Sequence, residues 1–380
     1  CSQFIALIIF LIFYKNAFTI TSFIHLYDVD LTAIQKYVPG FTFSELYAIG
    51  GAILKNPSSQ ITWNSLNPVK HYSFYVLDWK AGKIIFNRGD SSIGEYGGKA
   101  GELSFNYPKG IAVTEDGIIY VADTFNDRIV KLTTDGYSIT DTGVVIAGQR
   151  PNSVKVDRNG NVFVVYPIQN KAVKYDANGN ELVTYNAVMS GSLLFPVDIA
   201  IDNDNNVYLI NNTRDYVVLK YKNNGTLLKS TGYQSLEIPQ DFNLNSIASD
   251  LFGNIYILDI YNNKVYKISK ELNTLTSFGQ NNSSDFKLYS PKTVTCFERN
   301  GLVAVCMSES IKFYAIGSGL YNIGASPNFL IPKTNAYMDI HYNITSECLV
   351  STFIINTKSQ VVKSFYKNTL KIPGYYSIKW

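Results

Sequence analysis

Oxygen-bearing side chains recur at one place along this 380-residue chain. Asp78, Asp123, Asn211 and Asp259 each end a short apolar run such as Ile118-Ile119-Tyr120-Val121-Ala122. Carboxylates and amides are hard ligands that suit Ca²⁺, so a ring of them meeting at one point could hold that ion. The same groups can instead accept backbone N–H bonds in the turn after each run. A metal site needs convergence, whereas a repeated turn needs one such group per copy, so the structural role is expected. Arg128, Lys171 and Lys264 stand where a charged partner would follow. Other chemistry is thinly supplied. The three His (His25, His71, His341) lie far apart, and no CxxC joins the four Cys (Cys1, Cys296, Cys306, Cys348), which excludes a zinc ribbon or a thioredoxin-type pair. Cys296 and Cys306 are expected on neighbouring strands of one hairpin, a placement that rarely carries a disulfide. No phosphate loop, nucleophile elbow or Cys–His pairing stands out. A net charge of +3, with dispersed Lys and Arg, argues against a nucleic-acid binder.

The elements that carry these residues are strands. Aromatic and β-branched residues dominate, with 28 Tyr and 22 Phe, and the chain is 46% hydrophobic. From Phe105 the order is short strand, turn with Asp116-Gly117, second strand, polar turn, third strand. That order returns around Val162-Phe163-Val164, Val207-Tyr208-Leu209, Ile255-Tyr256-Ile257 and, more weakly, Phe74-Tyr75-Val76 and Leu302–Val305. Aligned on Tyr75, Tyr120, Phe163, Tyr208, Tyr256 and Ala304, the copies are 45, 43, 45, 48 and 48 residues apart. Six units of that length predict an all-β, six-bladed β-propeller, since each small sheet is apolar on both faces and must bury both against neighbours.

The stretch Pro108 to Ile129 (PKGIAVTEDGIIYVADTFNDRI) resembles the NHL repeat, and Asp259-Ile260-Tyr261-Asn262-Asn263-Lys264 keeps part of it. Tyr166, Asn211 and Met307 replace the Asp in other copies. The resemblance implies a propeller over roughly 70–316. Leu46–Gly51 is expected to close the ring by pairing, as an outer strand, with the last blade. Some six-bladed propellers, including the gluconolactonase-like enzymes, bind metal at the channel end of the innermost strands. The positions here similar to theirs offer Asn152, Asp198 and Asn245, an alternative Ca²⁺ site that Lys109 and Lys292 would disfavour. The amidating-lyase propellers that the repeat also resembles use His-bound zinc, yet no His lies between His71 and His341. The expected protein is therefore not an enzyme, with no catalytic residue and no cofactor. The positive feature is a recognition surface: Trp79, Phe125, Tyr166, Arg214 and Tyr261 are expected together on one face of the disc.

The ends add an address. The run Phe4 to Phe13 (FIALIIFLIF) is too short to span a bilayer and has the length of a signal-peptide core, so residues 1–22 are expected to direct export, leaving no membrane span in the mature chain. Residues 23–325 form the expected propeller. Residues 326–380, ending Gly374-Tyr-Tyr-Ser-Ile-Lys-Trp380, resemble the FlgD-like immunoglobulin-type module, a partial β-sandwich cut short at Trp380. Together these imply a secreted or cell-surface protein that recognises a protein or glycan, or acts as a scaffold, without nucleic acid. The alternatives are a Ca²⁺-dependent lactonase-like hydrolase and a self-assembling subunit of an extracellular fibre.

Overall fold

The structure is a computed structural model. It describes residues 23–30, 45–54, 72–87, 93–98, 100, 102–114, 116–135, 138–188, 191–192, 195–250, 253–280, 287–297, 302–316, 320–326, 339–344, 348–355, 361–371 and 374–379. The expected signal segment, 1–22, and Trp380 lie outside these. His25–Tyr314 forms one compact unit, and Ala315–Trp380 belongs to another.

Six four-stranded antiparallel sheets make up the larger unit. Their innermost strands are Leu46–Leu54, Gly110–Val113, Ser153–Val156, Pro196–Ile201, Leu244–Ser249 and Pro291–Phe297, in blades 1 to 6. Each touches the next, and the first touches the last, so the ring is closed. The second strand of each blade shows why the sheets assemble. In Ile118–Asp123, Ile119 and Val121 join a core shared with blade 1, while Tyr120 and Ala122 join a core shared with blade 3. Val162–Tyr166 divides likewise: Val162, Val164 and Tyr166 face blade 2, and Phe163 and Val165 face blade 4. Strand periodicity with no polar side leaves neither face able to meet water, which drives the stacking of blades.

Closure differs from expectation. The outer strand of blade 6 is Phe23–Asp30, and Leu46–Leu54 is the innermost strand of blade 1, paired with Tyr72–Asp78. The run at 46–51 is thus the missing first strand of the degenerate blade. Its partner strand was recognised at Phe74–Asp78, but the link of more than fifteen residues between them hid the hairpin. The seam between blades 1 and 6 is tied by Leu46 N–H donating to the Ser308 carbonyl at 3.0 Å and by Lys292 Nζ on Glu45 Oε1 at 2.8 Å.

In the smaller unit, Leu320–Ser326 pairs with Asp339–Ile344, which pairs with Gly374–Lys379, and Cys348–Ile355 pairs with Val361–Lys371. The unit therefore takes in a strand ahead of the boundary expected at 326. Cys296 and Cys306 are not joined by a disulfide: the register sets Val303 opposite Cys296 and Thr293 opposite Cys306. Among the described residues no helix is long and apolar enough to cross a membrane.

Candidate functional site at the channel mouth and its face

In every blade the innermost strand starts at the end of the disc where the second strand stops, so two sets of residues meet on one face. The turn after the second strand is laced to the residue ahead of the innermost strand. Trp79 N–H donates to Glu45 O (3.2 Å), Phe125 to Asn106 O (3.1 Å), Asn212 to Phe195 O (3.2 Å) and Ile260 to Asn243 O (2.9 Å). The strand-end carboxylates complete this lacing. Asp78 accepts from Glu45 N and Ala81 N, both at 3.1 Å. Asp123 accepts from Asn106 N (2.7 Å), Asn126 Nδ2 (2.8 Å) and Arg128 Nε (2.7 Å). Asp259 takes Asn243 N (3.1 Å), Tyr261 N (3.0 Å) and Asn262 Nδ2 (2.7 Å). Asn211 holds Thr213 Oγ1 through Nδ2 (2.7 Å), and its buried Oδ1 has no partner. Each group serves its own blade, and the four do not converge.

On the axis, one cavity of about 20 Å³ is lined from all six blades, including Tyr47, Lys109, Asn152, Lys155, Asp198, Asn245 and Thr293. The structure thus brings together Asn152, Asp198 and Asn245, but with their polar atoms engaged. One Asp198 oxygen accepts from Ser153 Oγ and Ile199 N (2.8 Å), and the other from Ser246 Oγ and Ile247 N (both 2.9 Å). Lys155 Nζ stands 3.9 Å away. Ser246 in turn accepts from Val294 N at 3.2 Å, so this buried carboxylate joins blades 3, 4, 5 and 6. Asn152 Nδ2 donates to Val197 O (2.9 Å) and Asn245 Nδ2 to Lys292 O (2.6 Å), each bridging to the next blade. Gly110 explains the approach of blade 2: a Cβ there would sit 2.8 Å from Val154 N and 2.9 Å from Ser153 Cα. A divalent cation does not fit this donor set. Asp198 has its four lone-pair positions taken, and two lysines share the cavity. Among the described residues no three His, Cys, Asp or Glu side chains gather at one point.

Burial lowers the Lys109 pKa below that of an ordinary lysine, and burial raises that of Tyr47. Glu45, at the seam, accepts hydrogen bonds from Lys292 and then Lys80, which bring its pKa down to about 2.

From Tyr47 an aromatic row leaves the cavity across the face. Tyr47 and Trp79 rings are 5.1 Å apart, Trp79 and Tyr107 5.4 Å, Tyr107 and Phe125 5.5 Å, and the Arg150 guanidinium covers Phe125 at 5.1 Å. Trp79 is half-buried, and its Nε1 has no partner. Arg214 and Tyr261 are exposed on this face as expected from their turns. Tyr166 is not. It is the last residue of its strand, its ring lies in the core between blades 2 and 3, and its hydroxyl pairs with Tyr175 at 3.0 Å. Strand alternation, not turn position, sets its direction, and Ile168 takes the exposed place.

Several residues here were not foreseen: Tyr47, Tyr107, Phe195 and Tyr289. For Tyr107 and Phe195 the signal was the proline that follows. Tyr107, Arg150, Phe195 and Ser290 each precede a Pro at, or two residues ahead of, the start of an innermost strand, and all four adopt left-handed φ values of 44 to 52°. Non-glycine residues avoid that region, so a device repeated in four blades marks a fixed display of side chains on this face.

Comparison with known proteins agrees with this architecture. Residues 105–132 match the NHL repeat. The segment that matches is blade 2 with its Asp123–Arg128 turn. NHL repeat-containing protein 2 of Bos taurus is 38% identical over 79 residues, which is 20% of this chain and 11% of that protein. The chain therefore matches about a tenth of that relative's length. Among solved structures, virginiamycin B lyase from Staphylococcus aureus superposes with a TM-score of 0.52 at 14% identity, over 78% of this chain and 100% of that one. A Bacteroides thetaiotaomicron protein of unknown function gives 0.53 at 15% identity, over 76% and 72%. A gluconolactonase from Xanthomonas campestris gives 0.50 at 11%, over 72% and 88%. At such identities the likeness is one of fold: an all-β, six-bladed propeller carrying an NHL repeat.

Proposed function

We propose that this chain is an exported, non-enzymatic recognition propeller that takes a protein or glycan partner across the face bearing Tyr107 and Phe125. The observation that carries the reading is the aromatic row from Tyr47 to Phe125, capped by Arg150. Aromatic rings and arginine supply large contact areas with few rotatable bonds, and they dominate the energetics of recognition surfaces. The row is held before any partner arrives, which lowers the ordering cost of binding. Export rests on the apolar run Phe4 to Phe13, and residues 326–380 are read with it as an immunoglobulin-type module of a surface protein.

The hydrolase reading draws on the fold shared with the lyase and the gluconolactonase. Against it stands the Asp198 carboxylate, whose oxygens are occupied by four donors.

The test is a defined glycan array and a panel of purified extracellular proteins, probed with the wild type, Tyr107→Ala/Phe125→Ala, and Asn159→Ala on the opposite face. A ligand bound by the wild type and Asn159→Ala, and at least about tenfold more weakly by the double variant, is the expected result. Equal binding by all three, or calcium-dependent lactone hydrolysis abolished by Asp198→Asn, would overturn it.

A further inference from the structure

Four blades carry the same three-residue unit at the channel mouth: a left-handed residue, a proline and a third residue beside the axis. They are Tyr107-Pro108-Lys109, Arg150-Pro151-Asn152, Phe195-Pro196-Val197 and Ser290-Pro291-Lys292. The first residue of each is exposed, and Lys109, Asn152 and Val197 line the axial cavity. Residues two apart have Cα atoms at most about 7 Å from each other, so the aromatic face and the mouth form one continuous surface. Most polar groups at the mouth are committed. Asn152 Nδ2 bonds Val197 O at 2.9 Å, Lys292 Nζ bonds Glu45 Oε1 at 2.8 Å, and Asn245 Nδ2 bonds Lys292 O at 2.6 Å. Asp198 is saturated, with Lys155 Nζ 3.9 Å away. Lys109 is the exception. Its side chain is half-buried at a cavity open to solvent, and among the described residues its ammonium has no partner. Burial lowers its pKa, and no neighbouring acid raises it again. The acids along the aromatic row are engaged elsewhere: Glu45 with Lys292 and Lys80, and Asp123 with Arg128. Asp127 accepts the Arg150 N–H at 2.9 Å, which sets one acid beside that arginine. On this part of the face Lys109 is the charge without a counterpart.

Given the recognition role proposed for that face, we infer that its partner is an acidic peptide segment. It lays an apolar side chain against Tyr107 and Phe125 and sets an aspartate or glutamate carboxylate on Lys109. Charge complementarity calls for the acid, and the exposed rings call for its apolar neighbour. In an extended peptide, side chains two residues apart share one face about 7 Å apart, which matches the greatest separation of Tyr107 and Lys109. Ring geometry favours a peptide over a sugar chain. Successive ring planes in the row are inclined by 36°, 76° and 58°, so the row alternates edges and faces and offers no level platform for successive sugar rings. At the mouth, partly shielded from bulk water, an ammonium–carboxylate bond is stronger than on an open surface.

The experiment uses the whole chain, immobilised and panned with a phage-displayed library of random short peptides. Enriched peptides are synthesised, each with an analogue whose acid is replaced by the amide, and their affinities are measured by fluorescence anisotropy. The expected peptides carry an acidic residue two places from an aromatic or aliphatic one. Lys109→Met should weaken the acidic peptide about tenfold and leave its amide analogue unchanged, while Lys109→Arg keeps most of the binding. Added salt should bring the acidic peptide towards its analogue. Melting temperature in each variant separates lost binding from lost fold. Enriched peptides that lack an acid, equal losses for peptide and analogue in Lys109→Met, or no enrichment at all would overturn the proposal. So would polygalacturonate binding through Lys109 when no peptide binds there, since the partner is then an acidic sugar chain. Failure of the recognition role itself has a separate signature: peptides that bind Tyr107→Ala/Phe125→Ala as tightly as the wild type, a result that overturns both.

Discussion

The two faces of the disc are built from the same repeated turns but dressed differently. On the face where innermost strands begin lie Tyr107, Phe125, Ile168, Phe195, Tyr261 and Tyr289, each at least 44% exposed. Among the described residues the opposite face carries no exposed large hydrophobic side chain; Val144, Leu182 and Leu228 are on outer strands instead. Its turns are made of Asp, Asn, Gly, Ser and Thr closing upon themselves. Asp157 takes Asn159 N and Asn161 N at 2.9 Å and Asn161 Nδ2 at 2.8 Å, and Asp202 and Asp250 hold Asn206 and Asn254 in the same way. An Asp on that face finishes a turn. An Asp on the other fastens a turn to the start of the innermost strand, and so positions rings that no internal contact requires to be exposed. Apolar side chains confined to one face, on fastened loops, support the recognition role proposed for that face.

The largest effect should come from the axis that supports both faces. Asp198→Ala leaves Ser153 Oγ and two backbone N–H groups without their acceptor, while Ser246 Oγ keeps the Val294 carbonyl, and is expected to cost about 3 kcal/mol in urea unfolding. Gly110→Ala, which drives a methyl group into the backbone of blade 3, should cost about 2 kcal/mol. If either variant unfolds at the wild-type midpoint, the axis is not what holds the blades.

The comparison of faces is sharpened by matched turn variants. Asp123→Ala removes the acceptor of Asn106 N, Asn126 Nδ2 and Arg128 Nε from a fully buried site, and should lose about 2 kcal/mol while blunting partner binding. Asp157→Ala on the far face should lose about 1 kcal/mol and leave binding intact. Tyr107→Ala and Phe125→Ala are expected to change stability by no more than about 0.5 kcal/mol, since their rings are half-exposed. A loss of stability larger than that in Phe125→Ala would make it a packing residue and erase the distinction between the faces.

What could be read from the sequence follows from how much each residue's role depends on its neighbours in the chain. The blades were legible because Tyr120, Phe163, Tyr208 and Tyr256 recur at a nearly constant interval and alternation fixes both faces of a strand. Asp123 and Asp259 were legible as turn acceptors because their partners Asn126, Tyr261 and Asn262 are two or three residues away. The outer strand of blade 6 was not, since its partners lie almost 300 residues downstream, and nothing in Phe23–Asp30 itself names them. The position of Asp198 at the channel was foreseen, but its four donors come from three blades, and their saturation of the carboxylate is visible only in three dimensions. Tyr166 was misplaced because a substitution in the Asp position was read as a turn residue, when the strand still directs it inward.

The smallest expected effect compares one acid from each face through pH. Glu45, on the aromatic face, bridges blades 1 and 6 through Lys292, and its pKa falls from an ordinary 4.5 to about 2 chiefly through the hydrogen bonds from Lys292 and Lys80. Its carboxylate binds its proton less readily in the folded chain than in the unfolded one. The stabilisation is therefore complete above pH 4.5 and declines as pH falls towards 2. Asp176, on the other face, is also held low, first by the Asn180 amide, but within its own exposed turn. Glu45→Gln should flatten the fall in melting temperature between those two pH values and lower stability at neutral pH by less than about 1 kcal/mol, because the pair is only partly shielded from water. Asp176→Asn should leave the seam, and most of that acid-limb slope, as they were. If Asp176→Asn flattens the slope and Glu45→Gln does not, the Glu45–Lys292 pair carries no stability of its own and the seam rests on its other contacts, among them Leu46 N–H on Ser308 O.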